Sequence, residues 1–393
     1  MKEKTAVWEL LYLLRCALDG RAPERSRVEA MDLRGVYRLA RAHSLAAAVW
    51  EALSDMEDYP GFLTGRTPEE RSLLASWRED RDRSVWRNTL MDAERAALTA
   101  WMDREGIWYM PLKGIRLQKL YPRPGMREMS DNDILFDSAF QAPVRDWFLS
   151  RGYTAVRSGG GVHDVYQKPP LYHFEMHRRL FSLSFDPRIS DYYRDVKECL
   201  LPDGTGAGLR FRDEDHLVYL LAHGVKHDRR GGVGLRLLCD LYLFDRARGG
   251  EMDWTYVRRE LEALGIRDWG ESVLSLSRKL LSGEADLDPE EEALLCGHVQ
   301  SGTYGTVDRW VENALRTLSP GAAVPSGRTK GRYLLRRVFP GRAEMDDWCS
   351  YYFPAALRSR ALRPLAYVLR ILRGLSHNRE WKRAELRALF RKK

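Results

Sequence analysis

Apolar positions divide the chain into a long helical stretch, a zone of short strands, and a second long helical stretch. Val28, Met31, Leu33, Val36, Leu39 and Ala40 recur at helical spacing, as do Leu45, Val49, Trp50 and Leu53, so residues 1–90 read as helical. Thr67, Pro68 and Glu70 supply a cap, a first-turn proline and an acid, which predict a helix running through Trp77 toward Trp86. A separate helix is expected over 93–104, closed by Gly106. The periodicity then shortens. Ile107 to Leu112 and Asp131 to Phe136 are brief apolar runs that predict buried strands, each followed by a helix. Residues 153–156, 162–168 and 172–178 are expected as further strands, with Gly159-Gly160-Gly161 as a hairpin turn. The order predicts an α+β architecture, one mixed sheet with helices on one face.

From Asp213 onward the helical period returns. Leu217, Leu220, Leu221, Gly224 and Val225 mark one helix, and Leu235, Leu238, Leu241, Tyr242 and Phe244 the next. Further helices are expected over 253–281, 289–300 and 306–317. A looser Gly/Pro-rich basic stretch follows from Ser319 to Arg342, and Leu365, Val368, Leu369 and Leu372 restore helical spacing in the tail. The resulting division is 1–90 helical, 91–200 sheet core, 201–318 helical, and 319–393 a basic, mostly helical segment.

Composition narrows the class. With 393 residues, 44% of them hydrophobic, the chain has enough apolar material for two or three cores and is neither disordered nor fibrous. Five scattered cysteines form no CxxC pair, which predicts a reducing, cytoplasmic setting rather than a disulfide framework or zinc finger. No apolar run reaches the roughly 20 residues of a membrane span. The apolar N-terminal run Val7 to Leu14, interrupted by Glu9, reads as a soluble amphipathic helix and not a signal peptide. The net charge of +8 is unevenly placed: residues 358–393 hold 12 lysines and arginines against two acids, leaving the other residues at −2. A body-wide nucleic-acid groove is therefore not expected.

The candidate chemistry centres on Asp131, Asp133 and Glu175. Acids at i and i+2 on a strand share a face, and burying two like charges side by side is costly without a counter-ion. A hard divalent cation held by carboxylates and substrate phosphates resolves that conflict. Glu175, in His173-Phe174-Glu175-Met176-His177, offers a third acid from a neighbouring strand. The competing structural reading is that Asp131 caps the strand and Asp133 pairs with a lysine. Lys113-Gly114, where a strand turns into a helix, adds a place at which backbone N–H groups meet phosphate.

Pro111-Leu112-Lys113-Gly114, Leu120-Tyr121-Pro122 and Arg127-Glu128-Met129-Ser130-Asp131-Asn132-Asp133-Ile134-Leu135 together resemble the uncharacterised bacterial nucleotidyltransferases of the DNA polymerase β-like superfamily. Glu175-Met176-His177-Arg178 is similar to the family's third-carboxylate segment. The resemblance extends through His216, His223, His227 and Leu235 to Asp240, and covers about residues 90–245. It implies a polymerase β-like fold in which Asp131, Asp133 and Glu175 bind Mg²⁺ or Mn²⁺ and Glu175 activates an acceptor hydroxyl. It implies nucleotide contacts from Lys113, Gly114, Arg127 and Ser130, with an NTP as donor and a small molecule, peptide, protein side chain or RNA end as acceptor. The turn here reads Lys-Gly-Ile where the wider superfamily has Gly-Ser, so the charge of Lys113 or Arg127 takes the serine's place. Arg127 is open between a phosphate contact and a local ion pair.

Other features have plainer readings. His223 and His227, spaced i,i+4, lack the glutamate of a metalloprotease motif and are expected to pack against the sheet domain. His177 either orients Glu175 or fills the core. Arg178 and Arg179 read as solvated strand-end charges. Two other classes stay open: a catalytically degenerate nucleotide or partner binder, and a nucleic-acid binder acting through the basic tail, whose helix could equally touch a membrane surface or an acidic partner.

Overall fold

The computed structural model of the chain describes residues 2–283, 286–321, 326–376 and 379–391. Five helices come first, α1 (Lys2–Asp19), α2 (Arg25–Glu29), α3 (Leu33–Ala42), α4 (Ala46–Ser54) and α5 (Tyr59–Thr64). In α1, Leu10, Leu13 and Leu14 are wholly buried, so this helix lies deep in the core rather than on the surface. Thr67 caps α6 (Pro68–Arg104) in a reciprocal capping box with Glu70, and Pro68 opens the helix as the sequence predicts. The helix does not stop near residue 90. It runs for 37 residues, because no proline or glycine stands between Pro68 and Arg104, and the expected 90/91 boundary falls inside it.

Next come β1 (Tyr109–Pro111), α7 (Gly114–Leu117), β2 (Asn132–Phe136), α8 (Gln141–Ser150), β3 (Thr154–Arg157), β4 (His163–Lys168) and β5 (Tyr172–His177). The strands form one mixed sheet in the order β1-β2-β5-β4-β3, in which only β2 and β5 run parallel. Ile134, Phe136, Phe174 and Met176 turn one face toward Met91, Leu98 and Met102 of α6 and Val144 and Phe148 of α8. Helices were expected on that face alone. The opposite face is also covered, since Met110 and Leu135 join a core shared with Leu217, Leu220 and Leu221 further along the chain.

After α9 (Pro187–Tyr192) and a two-stranded ribbon of β6 (Leu201–Pro202) and β7 (Leu209–Arg210), the helical part resumes. It comprises α10 (Asp213–Asp228), α11 (Arg236–Arg248), α12 (Trp254–Leu264), α13 (Arg267–Ser282), α14 (Pro289–Ser301) and α15 (Val307–Leu318). One apolar cluster runs from Ala6 to Leu295, so the two helical stretches that the sequence sets apart pack as a single body around the sheet.

The basic segment has its own small cores. α16 (Gly327–Val338) forms within the stretch expected to be loose, while residues 322–325 lie outside the described residues. It is followed by α17 (Arg342–Tyr352), α18 (Ala355–Arg358), α19 (Arg363–Ser376) and α20 (Arg379–Phe390); the tail bases Lys392 and Lys393 also lie outside the described residues. Gly160 and Gly161 have a packing role in this arrangement: a Cβ at either would lie 2.0 Å from the Ser350 carbonyl or the Tyr351 ring of α17. The glycine turn thus lets α17 dock on the β3–β4 loop, where the Tyr351 hydroxyl accepts from the Val162 N–H at 3.0 Å.

Candidate active site

The middle of α6 holds the acidic segment in place. Asn88 donates to the Arg127 carbonyl at 2.9 Å and accepts from the Met129 N–H at 3.3 Å. Arg95 donates to Asn132 at 2.8 Å, and Asn132 in turn donates to the Met91 carbonyl at 3.3 Å. Four hydrogen bonds to one continuous helix therefore fix the chain on either side of Ser130 and Asp131.

In-register pairing of β2 with β5 sets Asp133 directly opposite Glu175. Strand alternation places Asp133, Glu175 and His177 on the face turned away from α6, toward α10. Lys113 Nζ lies 3.1 Å from Asp133 Oδ2, and His177 Nε2 lies 2.7 Å from Asp133 Oδ1. Lys113 holds φ +42°, ψ −114°, a strained backbone for a residue with a Cβ and one that is concentrated at functional sites. The lysine pairing weighed from sequence is thus present, and it answers the question of the buried like charges.

The electrostatics follow from these contacts. Burial alone would raise the pKa of Asp133, but Lys113 and His177 hold it well below the ordinary carboxylate value. Burial likewise opposes ionisation of Glu175, which the neighbouring His177, with Nε2 3.6 Å from Oε2, outweighs, leaving its pKa lowered. Burial would push His177 down, yet Asp133 and Glu175 keep its pKa raised. Asp131, half-buried at the strand's entry, is raised by burial and by the charge of Asp133.

A second shell of histidines completes the face. His163 Nε2, across β4, is 3.6 Å from Glu175 Oε2, and burial with the neighbouring His177 pushes its pKa down to about 4. His163, Glu175 and His177 bring one ligand atom each to within 4.8 Å of one another, a group compact enough to hold a metal ion. Asp131 and Asp133 stand beside this group and are not members of it. The donor set fits a divalent cation: carboxylate oxygens from two adjacent strands, with imidazole nitrogens at the margin.

Sequence reasoning missed the wall opposite. Tyr219, His223, Lys226 and His227 of α10 turn toward the carboxylates; the Asp133 and Glu175 charges are felt at Lys226, and Lys113 and His177 at His223. Burial and the charge of Lys113 bring the Lys226 ammonium down to about 8. Their i, i+4, i+7, i+8 spacing was a legible helical face, but nothing in it says which face meets the acids. His223 and His227 were expected to hydrogen-bond or pack against the sheet domain. They do lie buried against it, and they also pair with each other, Nε2 to Nε2 at 3.2 Å, with burial holding both pKa values down.

The nucleotide-contact residues are placed unevenly. Lys113 is in the site. Ser130 is half-buried beside Asp131. Gly114 starts only a single helical turn, and its missing Cβ leaves room for Arg127 Nη1 and the Met129 thioether, which an added Cβ would meet at 2.3 and 2.8 Å. Arg127 takes the second of its two readings, the local ion pair. Its Nε and Nη2 both reach Asp240 of α11 at 2.8 Å, and Nη1 reaches Met129 Sδ at 3.0 Å. Tyr121 donates to the same Asp240 at 2.8 Å, so Arg127 joins the sheet segment to the helical body as a buried ion pair. Arg178 is a correction: it turns inward to the fully buried Asp164 at 3.3 Å, while Arg179 is exposed as expected.

A family model described as an uncharacterised nucleotidyltransferase matches residues 29–282, which takes in the sheet, α6, α10, α11 and most of the helical body. No curated protein and no solved structure matches the chain. With acids on adjacent strands, a lysine at the strand–helix turn and a family match over more than half its length, the chain belongs to this nucleotidyltransferase family and is a transferase of that type.

Proposed function

We propose that the chain moves a nucleoside monophosphate from an NTP, bound with Mg²⁺ or Mn²⁺, to an acceptor hydroxyl by a two-metal in-line displacement. The observation that carries this reading is the in-register placement of Asp133 opposite Glu175, two residues after Asp131 and with Lys113 against Asp133. Asp131, Asp133 and Glu175 would hold the cations, with His163 and His177 beside Glu175. When bound, the cations neutralise phosphate charge and sharpen the nucleophile.

The acceptor oxygen attacks the α-phosphorus, an O–P bond forms, and the bond to the bridging oxygen breaks as pyrophosphate leaves. Glu175, kept ionised by the neighbouring His177, takes the acceptor proton. Lys113 and Lys226 supply positive charge toward the triphosphate, and Ser130 stands at the entry to the acidic strand. The five cysteines are unpaired, which supports a cytoplasmic setting. No helix among the described residues is long and apolar enough to cross a membrane.

Calorimetric titration with each of the four NTPs, with and without Mg²⁺ or Mn²⁺, tests the proposal on wild type and Asp131→Asn. Saturable, metal-dependent binding to wild type that vanishes in the variant is expected. Absence of binding by every NTP, or binding indifferent to metal and to residue 131, would sink it.

A further inference from the structure

The C-terminal segment carries a surface the nucleotidyl site does not use. α19 is fixed by its inner side: Ala366 is fully buried against Met345, Cys349 and Ala356, the Tyr367 hydroxyl donates to the Pro340 carbonyl at 3.0 Å, and Arg363 meets Asp346 at 3.3 Å. Arg370 also turns inward, donating to the Arg337 carbonyl at 2.9 Å. The outer side is the apolar one. Leu365, Val368, Leu369 and Leu372 follow i, i+3, i+4, i+7 and are 46%, 51%, 37% and 57% exposed. That inverts the usual arrangement of a surface helix, which hides its apolar stripe. The end of α16 adjoins the inner side of α19, where the Phe339 ring lies 6.2 Å from that of Tyr367; Val338 and Phe339 are themselves exposed.

Charge decides what such a face fits. Residues 326–393 hold 18 lysines and arginines against five acids. Among those acids, Glu385 is buried against Arg337 and Asp346 pairs with Arg363, so little negative charge offsets the basic residues. Arg332, Arg336, Arg358, Arg360 and Arg387 of the same segment are exposed. A second copy of the chain would bring two strongly positive surfaces together. A nucleic-acid backbone would satisfy the arginines and leave the leucine stripe in water. An anionic lipid surface satisfies both, accepting the aliphatic side chains below the headgroups and the guanidiniums among the phosphates.

We propose that the outer side of α19 forms a docking face for the surface of an anionic bilayer. α19 lies in the plane of the interface: at 14 residues it is about 21 Å long, too short to span. The sheet site then works next to a membrane, within reach of acceptors carried there.

Vesicle co-sedimentation of the full chain tests this, with phosphatidylcholine vesicles made with and without phosphatidylglycerol. Binding to the anionic vesicles, weak binding to the neutral ones, and a drop of at least about tenfold in Leu365→Gln/Leu369→Gln are expected. Val368→Gln/Leu372→Gln should behave alike; both pairs are exposed, so thermal midpoints and metal-dependent NTP binding should not change. Unaltered vesicle binding by both pairs would mean charge alone holds the protein and would overturn the proposal. So would failure to bind anionic vesicles, or a wild-type dimer in sedimentation velocity that the same substitutions dissolve. Because neither pair touches the nucleotide site, failure here and failure of the nucleotidyl reading are separate results.

Discussion

Two aspartates two residues apart carry opposite expectations. Asp133 is satisfied by Lys113 and His177, so Asp133→Asn leaves a buried lysine without its counter-charge and should cost about 3 kcal/mol in urea unfolding. Asp131 is strained by burial and by its neighbour's charge, so Asp131→Asn should leave the thermal midpoint unchanged or raise it while abolishing metal-dependent NTP binding. A large loss of stability in Asp131→Asn would make that carboxylate structural. Arg127 separates the two roles the sequence left open. Arg127→Met should cost about 3–5 kcal/mol in urea unfolding, and Asp240→Leu in the same chain should restore part of it, because the pair is buried and bidentate. A variant of unchanged stability and weakened NTP binding would return Arg127 to the phosphates.

At the scale of elements, the length of α6 matters more than its ends. Its middle turns carry Asn88, Met91 and Arg95, which peg the segment from Arg127 to Asn132, so a break at residue 90 would have unfastened the acidic strand. Asn88→Ala should cost about 1–3 kcal/mol and weaken metal-dependent NTP binding, measured by urea unfolding and calorimetry, although Asn88 is not among the proposed nucleotide contacts. The junction of α3 with α11 is sensitive to pH. His43 caps α3 and its Nδ1 accepts from the Leu235 N–H at 3.1 Å, while burial pushes its pKa down from 6.5 to about 4. Between those values the unfolded chain binds a proton that the folded chain refuses. Stability is therefore full above pH 6.5 and declines as pH falls toward 4, by about 3 kcal/mol from this residue. Urea unfolding at pH 7 and pH 5 should show a smaller decline in His43→Gln than in wild type.

On the scale of the whole molecule, one apolar cluster ties α1 to α14 and to one face of the sheet, whereas the segment from α15 to α20 has only small clusters of its own. Hydrogen exchange should be slowest in α1, α10 and α13 and faster in α19 and α20. An NTP with metal should slow exchange in β2, β5 and α10 and leave α19 and α20 unchanged. Equal protection of α19 would tie the basic segment to the nucleotide site.

Period and punctuation were enough to determine the mixed α+β class, the strands of the main sheet, the glycine turn and the threonine cap at Thr67, and they singled out the three acids and Lys113 as the candidate chemistry. These are local: strand alternation and capping depend on residues a few positions apart. What tertiary structure decided is the partner of each charge. Arg127 could meet phosphate or an acid until Asp240, 113 positions away, was folded against it. Lys226 and His223 lie on a helix whose own spacing does not say which side meets the sheet. Nor could the sequence show that Leu365 to Leu372 is an outward stripe, since helical periodicity marks an apolar face equally well whether it is buried or left bare. Which long-range pairs form is set by the collective burial of the core, and no short window of sequence contains that information.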